Sequence, residues 1–486
     1  MYVLRNISQR PLTDSTDVGH VTSIDTLPDD VLLEIFNFHG YYDYDEFGEE
    51  REKAWQTLVH VCRRWRCIVF GSPRHLYLRL VCTKRTPARD MLDVWPALPL
   101  IVFYRDYLAG SEDNIIAALK CADRVCQIYL EIAWNFDLDV FGAMQQPFPE
   151  LTYLKLVGHG AVAVVPDSFL GGSTPRLEVL FLFGIPFPGL PKLLLSATHL
   201  NHLQLFNIPH SGYISPDSMV AVLSTLTSLS YFWLEFESPR SCPGPASRRR
   251  PRSTRSLLPS FTHFRFKGVG EYLEDLVACI DAPQLNTFHI SFFNDIVFDT
   301  PQLVQFISHT PEWKALKNAH ITLQGRARRA ARVDFSSQTS RYGEFNVEIL
   351  CKGIDWRVSS LEQVCTLCLP PLSTLEDLYF HEDSDSQPDW EGSVENRQWL
   401  ELLRSFMAVK NLYLSEKFAS RIGPALQELV EGRATDVLPA LQNIFLKGVE
   451  SSGSVQETIE QFVAARQVAN HPIGISPWTD SEESEV

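Results

Sequence analysis

The sequence predicts an α/β chain. A small N-terminal helical segment precedes a long, irregular array of strand–helix repeats on a curved parallel sheet. Three observations lead there. Two short amphipathic stretches lie close together between Ile24 and Phe70. A Leu-rich hexapeptide then recurs from Val125 to Leu446. Helix-like segments separate many of its copies.

The first amphipathic stretch, "LPDDVLLEIF", runs from Leu27 to Phe36. Pro28 suits the first helical position, where a missing N–H costs nothing. Asp29 and Asp30 follow in the first turn, where the helix dipole favours carboxylates. Val31, Leu32, Ile35 and Phe36 recur at helical spacing. The second stretch, "WQTLVHVCRRWRCIVF", spans Trp55 to Phe70 and sets Trp55, Leu58, Cys62, Trp65 and Val69 on a stripe, with Arg63, Arg64 and Arg66 off it. About 45 residues is too little to enclose a large core, so apolar surface is left for another protein. The plainer alternative is a helical hairpin that caps the next domain.

Leu27-Pro28-Asp29-Asp30-Val31-Leu32, Ile35-Phe36, Trp55, Leu58, Val61-Cys62-Arg63-Arg64-Trp65 and Ile68 together resemble an F-box, in the form found among F-box-like proteins of mushroom-forming fungi. The tyrosine-rich loop between Phe36 and Trp55 is longer than in a minimal F-box. The resemblance implies docking on a Skp-type adaptor and, through it, on a cullin–RING ubiquitin ligase. The implied contact residues are Leu27, Pro28, Val31, Leu32, Ile35, Phe36, Trp55, Leu58, Cys62 and Trp65.

Beyond this segment a pattern of the form L-x-x-L-x-L recurs, with apolar substitutions. It starts at Leu151, Leu177, Leu200, Leu229, Phe261, Leu285, Leu316, Leu375, Val409 and Leu441, with a plausible earlier copy at Val125. The steps from 125 are 26, 26, 23, 29, 32, 24, 31, 59, 34 and 32 residues. Pro149, Pro175, Pro259, Pro283, Pro371 and Pro439 precede copies. "SPDSMVAVLSTL", "GEYLEDLVACI", "TPQLVQFISHT", "RQWLELLRSFM", "GPALQELVEG" and "SVQETIEQFVAARQVA" read as intervening helices. A strand–helix unit this short cannot bury its apolar face alone, whereas stacked neighbours can. This is the pattern of an irregular leucine-rich-repeat solenoid. An ordinary α/β domain with Leu-rich strands is the alternative, since the spacing is uneven and no Asn ladder is evident. In the longest step, "ARVDFSS" and "GEFNVEILCK" read as a hairpin-like insertion at 325–352.

The strand period of two sends the leucines inward and the intervening residue outward. That residue is Lys155, Phe181, Gln204, Trp233, Arg265, His289, His320, Tyr379, Tyr413 and Phe445. The row is rich in aromatic residues and holds no acid, in a chain of net charge −16. Aromatic and Arg side chains are the usual anchors of interfaces. Lys155, Phe181, Trp233, Arg265, His289, Tyr379 and Tyr413 are the candidate target-binding residues.

The acidic balance makes nucleic acid a poor default partner. No apolar run reaches a clean membrane span, and no secretory h-region opens the chain, so cytosol or nucleus is expected. Asn6-Ile7-Ser8 then reads as a chance sequon. Scattered cysteines suit reduced thiols. Cys365-Thr366-Leu367-Cys368 lacks a second ligand pair and reads as buried core thiols. Arg248–Arg255 and Arg326–Arg332 read as solvated basic loops, with a nuclear-import role as the sharper alternative. No phosphate-loop, dinucleotide, nucleophile-elbow or zinc-protease motif is present. No catalytic set, metal or cofactor is expected. The domain map expected is a disordered segment at 1–20, the F-box at 21–72 and a linking segment with first irregular repeats at 73–124. The repeats follow at 125–470, with a disordered loop at 238–256, and an acidic tail at 471–486. The function expected is target recognition for a Skp–cullin–F-box ligase. The alternatives are a non-ligase scaffold with a degenerate F-box, and an enzyme with an unrecognised site.

Overall fold

The computed structural model describes residues 24–41, 57–72, 79–93, 97–105, 112–132, 138–160, 162–241, 255–293, 300–311, 313, 316–324, 330–337, 345–350, 354–367, 370–382, 394–430, 433–448 and 453–478. The segments expected to be disordered at 1–20, most of the 238–256 loop, Arg248 to Arg252, Arg326 to Arg329, Trp55, Cys368 and the final acidic residues lie outside these. The chain forms two compact units, Met1–Val81 with Trp95–Pro99 and Cys82–Val94 with Leu100–Val486.

The first unit holds a helix at Asp29–Tyr41, longer than the sequence stretch that predicts it. Leu32 N donates to Pro28 O at 3.1 Å, so Pro28 stands just before the helix as its cap residue and not at the first helical position expected of it. The second stretch is not one helix. Residues 57–61 are helical, the chain breaks at Cys62, and Arg63–Gly71 forms a separate helix. Cys62 is extended, and its Sγ accepts from Trp65 N at 3.4 Å, a side-chain cap that apolar periodicity does not reveal. Phe36 and Trp65 join the two helices, ring centroids 4.7 Å apart. Arg64 adds bonds to Asp29 Oδ1 at 2.6 Å and to Leu27 O at 2.5 Å.

One sheet of sixteen strands runs along the chain. Its strands are β1 (Leu80–Cys82), β2 (Leu100–Tyr104), β3 (Val125–Ile132), β4 (Tyr153–Gly158), β5 (Val179–Phe183), β6 (His202–Ile208) and β7 (Tyr231–Phe236). After a two-residue strand β8 (Ser256–Leu257) come β9 (His263–Gly268), the equally short β10 (Ile280–Asp281), β11 (Thr287–Phe292), β12 (Asn318–Leu323), β13 (Ala330–Ser336) and β14 (Phe345–Leu350). The last are β15 (Asp377–His381), β16 (Asn411–Ser415), β17 (Asn443–Lys447) and β18 (Gly474–Pro477). β8 and β10 pair only with each other. Helices on the connections pack against their neighbours in sequence, as stacked units require.

Each copy of the hexapeptide becomes a strand whose leucines are buried. Leu151, Leu154 and Leu156 are fully enclosed, and Leu200 and Leu203 likewise. The strands alternate half-buried and buried, as in β4, β5 and β7. Inward phenylalanines form a spine across four strands. Phe232, Phe264, Phe288 and Phe345 are register partners, with centroid steps of 5.4, 5.1 and 5.8 Å.

The prolines have a physical task. Leu151, Leu177, Phe261, Leu285 and Leu441 each donate N–H to the residue three before, closing a turn. Pro149, Pro175, Pro259, Pro283 and Pro439 are the second residue of those turns, where their fixed φ fits. Pro371 stands just outside its turn, which runs from Leu372 to Leu375. Ahead of the strands, one carbonyl of the preceding repeat accepts two N–H groups. Thr152 O takes Glu178 and Val179, and Glu178 O takes Asn201 and His202. The repeats are thus stacked through their backbone before the strands begin.

The sheet departs from simple succession at its centre. Its order is β1-β2-β3-β4-β5-β6-β7-β9-β11-β14-β13-β12-β15-β16-β17-β18. The hairpin-like insertion of the longest step lies within the array, as two antiparallel strands of the sheet itself. β14 runs parallel to β11, β13 is antiparallel to both its neighbours, and β12 resumes the parallel order with β15. The copies at Leu285 and Leu316 are therefore not adjacent; two strands stand between them. Four other expectations need correction. The stretch "GPALQELVEG" is the end of a helix, Glu416–Gln427, which holds Pro424 inside it. The repeats do not stop at 470, because β18 pairs with β17. Arg332 lies in a strand, not in a solvated loop, and binds Asp334 at 2.5 Å. Ser238–Ser241, placed in the 238–256 loop, forms a turn closed by Ser241 N on Ser238 O at 3.0 Å.

Candidate functional site

The open face of the large sheet carries the outward residues of the strands. Register sets Lys155, Phe181, Gln204, Trp233, Arg265 and His289 opposite one another in turn on β4, β5, β6, β7, β9 and β11. The row continues through Asn346, Asp334 and His320 to Tyr379, Tyr413 and Phe445. The candidate target residues thus share one line across the sheet. Their surroundings differ along it. His320 is 7% exposed, whereas Lys155, Phe181, Trp233, Arg265, Tyr379 and Tyr413 are half-buried.

In the first half of the row, rings and cations alternate. Lys155 Nζ sits 4.9 Å from the Tyr129 ring and 4.7 Å from that of Phe181. Phe181 meets Phe206 at 4.9 Å, and Phe206 meets Trp233 at 4.3 Å. The Arg265 guanidinium lies 4.6 Å over Trp233. Such cation–ring contacts contribute about 0.5–2 kcal/mol each, more where water is excluded. Beside this row, Tyr231 is stacked between His202 at 5.6 Å and His263 at 5.8 Å. Burial, and then the other imidazole, holds His202 below the ordinary histidine range; burial, and then the charge of Arg265, does the same for His263. Glu235 and Lys267 form an ion pair at 2.7 Å one step further along β7 and β9.

The central strands bring polar groups together under cover. Asp334, Asn346, Thr322 and Gln324 are all buried. Burial pushes the Asp334 carboxyl above its ordinary range, against the pull of Arg332. Ser291 Oγ donates to Glu348 at 2.6 Å.

In the last half the rings stack nearly parallel to one another. His320, Tyr379, Tyr413 and Phe445 follow one another at 4.2, 4.1 and 4.5 Å. Trp478 leans over Tyr379 and Tyr413, at 6.0 and 5.7 Å, and Lys447 lies 5.5 Å from its ring. A short ladder also runs here. Asn443 donates to Asn411 at 2.8 Å, and Asn411 to Asp377 at 2.6 Å.

Several of these residues escape sequence reasoning. Tyr129 stands at the outward position of the Val125 copy. Phe206 lies two residues beyond Gln204, on the same face; testing every second position would find it. Trp478 lies where only an acidic tail is expected. The Asx ladder sits at the first strand position, spaced too sparsely to read as a repeat signature.

In the first unit the apolar residues divide. Leu32 and Phe36 are buried, while Val31 and Ile35 are 40% and 43% exposed. Leu58, Cys62 and Trp65 are half-buried, Leu27 likewise, and Pro28 is exposed. Of the ten residues assigned to adaptor contact, Leu32 and Phe36 are therefore turned into the unit itself. Cys365 is buried, as its apolar run implies. Among the described residues, no three His, Cys, Asp or Glu side chains form a group that could hold a metal ion. No described helix is long and apolar enough to cross a membrane.

No protein-family profile matches the chain, and no curated protein matches it. Among solved structures, the leucine-rich repeat-containing protein LegL7 from Legionella pneumophila is similar at 12% identity, covering 70% of this chain and 90% of its own, with a TM-score of 0.26. At that score the likeness is remote. The fold rests on the chain's own geometry: a mixed α/β array with a long, mostly parallel sheet and packed helices.

Proposed function

We propose that the chain is a substrate receptor of a Skp–cullin–F-box ubiquitin ligase, working in cytosol or nucleus. Its N-terminal helices dock on a Skp-type adaptor. The open sheet face holds a protein target, which raises the effective concentration of target lysines near the ubiquitin-charged enzyme. The chain itself does no bond chemistry on this reading.

One observation carries the adaptor half. Asp29–Tyr41 uses Leu32 and Phe36 for its own unit yet leaves Val31 and Ile35 exposed one turn apart. Apolar side chains on a second face of a short helix suit a partner protein. The aromatic row supports the target half, since large rings and Arg concentrate binding energy.

The test is co-expression with a Skp-type adaptor followed by purification. Val31→Glu with Ile35→Glu should abolish capture while the melting temperature stays unchanged, because neither side chain packs inside the unit. Trp65→Ala is the contrasting control. It removes the ring that meets Phe36 and should lower stability first. If the double variant captures the adaptor as wild type does, the ligase reading fails. A wild-type chain that never captures adaptor would instead be a scaffold.

A further inference from the structure

Lys155, Phe181, Phe206, Trp233 and Arg265 form one bar across the open face: three consecutive rings with a cation at each end. We propose that this bar receives an extended acidic–apolar–acidic segment of a protein partner. A carboxylate would pair with Arg265, a second would lie near Lys155, and apolar side chains would rest on the rings. The inference rests on the open face being the target site and adds the chemistry of what it takes.

Arg265 carries the argument. Its guanidinium carbon lies 4.6 Å from the centre of the Trp233 ring, and its Nε is enclosed and has no hydrogen-bond partner among the described residues. No ion pair of Arg265 occurs among those residues either. The nearest carboxylate on the same pair of strands, Glu235, is already bonded to Lys267. An Arg fork fixed by stacking loses little freedom on binding a carboxylate in two-point fashion.

The spacing sets the ligand. β4 to β9 crosses four strand intervals, β4-β5-β6-β7-β9. At about 4.8 Å each this is about 19 Å, which an extended chain covers in about six residues. Two acids about six positions apart, with apolar residues between, therefore match the bar. The net charge of −16 repels an acidic partner at long range. That repulsion is screened beyond about 8 Å at physiological salt, while contacts at the bar are shorter.

The probe is a fluorescein-labelled seven-residue peptide with glutamate at both ends and leucine, phenylalanine and alanine between. The comparisons are the same peptide with glutamine ends, with phosphoserine ends, and with glycine in place of every apolar residue. Binding to the full chain is read by anisotropy. The glutamate peptide should bind about tenfold tighter than the glutamine peptide, the effect of one charge-assisted bond. Arg265→Gln should remove most of that difference, leaving the share owed to Lys155, and should lower the melting temperature only by the loss of its contact with Trp233. Glycine substitution should abolish binding, as should Trp233→Ala. Equal binding of the glutamate and glutamine peptides, still lost in Trp233→Ala, would overturn the acidic assignment but leave the face as a receptor. Binding of the phosphoserine peptide alone would overturn the carboxylate assignment. Absence of any Trp233-dependent binding would overturn both readings.

Discussion

Arg466 is fully buried near the end of the last helix, Ser454–Val468, and acts as a clamp on the loop before β17. Its Nη1 donates to Ala434 O at 3.1 Å. Its Nη2 faces Leu438 O, Pro439 O and Leu441 O at 3.4, 3.3 and 3.3 Å. Nη2 has two hydrogens, so about three bonds are made at a time. Leu438 O already accepts from Leu441 N. Removing the guanidinium therefore leaves Ala434 O and Leu441 O as buried acceptors without a donor. Each such group costs about 1–3 kcal/mol, or about 4 kcal/mol for the pair. Against this stands the cost of burying the cation, visible in the lowered affinity of Arg466 for its proton. Arg466→Met keeps the aliphatic stem and should destabilise the C-terminal repeat by about 2–4 kcal/mol once that relief is subtracted. Arg466→Lys offers one nitrogen in place of a fork and should recover less than half of the loss. Stacked repeats can open at their ends, so amide exchange is the assay, read at 434–447 and 474–478 beside the interior strands. Protection should fall in those segments and stay unchanged at β5 to β9. Full protection in Arg466→Met, or complete rescue by Lys, would refute the clamp.

Two further outcomes follow from the sheet. Burial holds the proton affinities of His202 and His263 below the ordinary value of 6.5 in the fold, so the unfolded chain binds protons more tightly. Their contribution is complete above that value and is lost as pH falls through the lower folded values. The melting temperature should therefore drop between about pH 7 and 5, and His202→Gln with His263→Gln should flatten the drop; an unchanged slope places the dependence elsewhere. Gly184 closes β5 with φ of +62°, and a Cβ there would meet Gly158 O at 2.8 Å. Gly184→Ala should cost about 1–3 kcal/mol by denaturant titration, through backbone strain and contact together, whereas wild-type stability would show that the turn relaxes freely.

Much of the array is legible because each copy states the same physics twice. The hexapeptide gives a strand period, and the proline before it gives a turn, so Leu151 to Leu156 is identified by burial and by geometry alike. The outward row is readable for the same reason, since one register serves every parallel strand. The N-terminal helices are harder. Cys62 fits the apolar stripe in sequence, but its backbone is extended and its sulfur caps the next helix. Periodicity sees side-chain polarity and cannot see a change of φ. Helix Glu416–Gln427 is misread for a related reason: Gly423-Pro424 looks like a start, but tertiary packing of Phe418, Ile422 and Leu426 holds a helix through it.

The centre of the sheet is illegible for a deeper reason, and it bears on function. Sequence order places the copy at Leu316 next to that at Leu285, and only pairing of β14 with β11 reveals the reversal. A reversed hairpin keeps the alternation of inward and outward residues, so hydropathy gives no warning. Yet it replaces the ringed outward positions by Asn346 and Asp334, both buried. The row is thereby cut in two. Lys155 to Arg265 forms a bar with cations at both ends, whereas Tyr379 to Phe445 forms a stack of rings under Trp478. Because these halves differ in charge and in cover, a target that spans the face would meet two chemistries. Loss of one half by Trp233→Ala and of the other by Tyr413→Ala would then weaken capture independently, with free-energy effects that add. Non-additive effects would mean that both halves grip one compact feature of the target, and the division at the inserted hairpin would have no bearing on recognition.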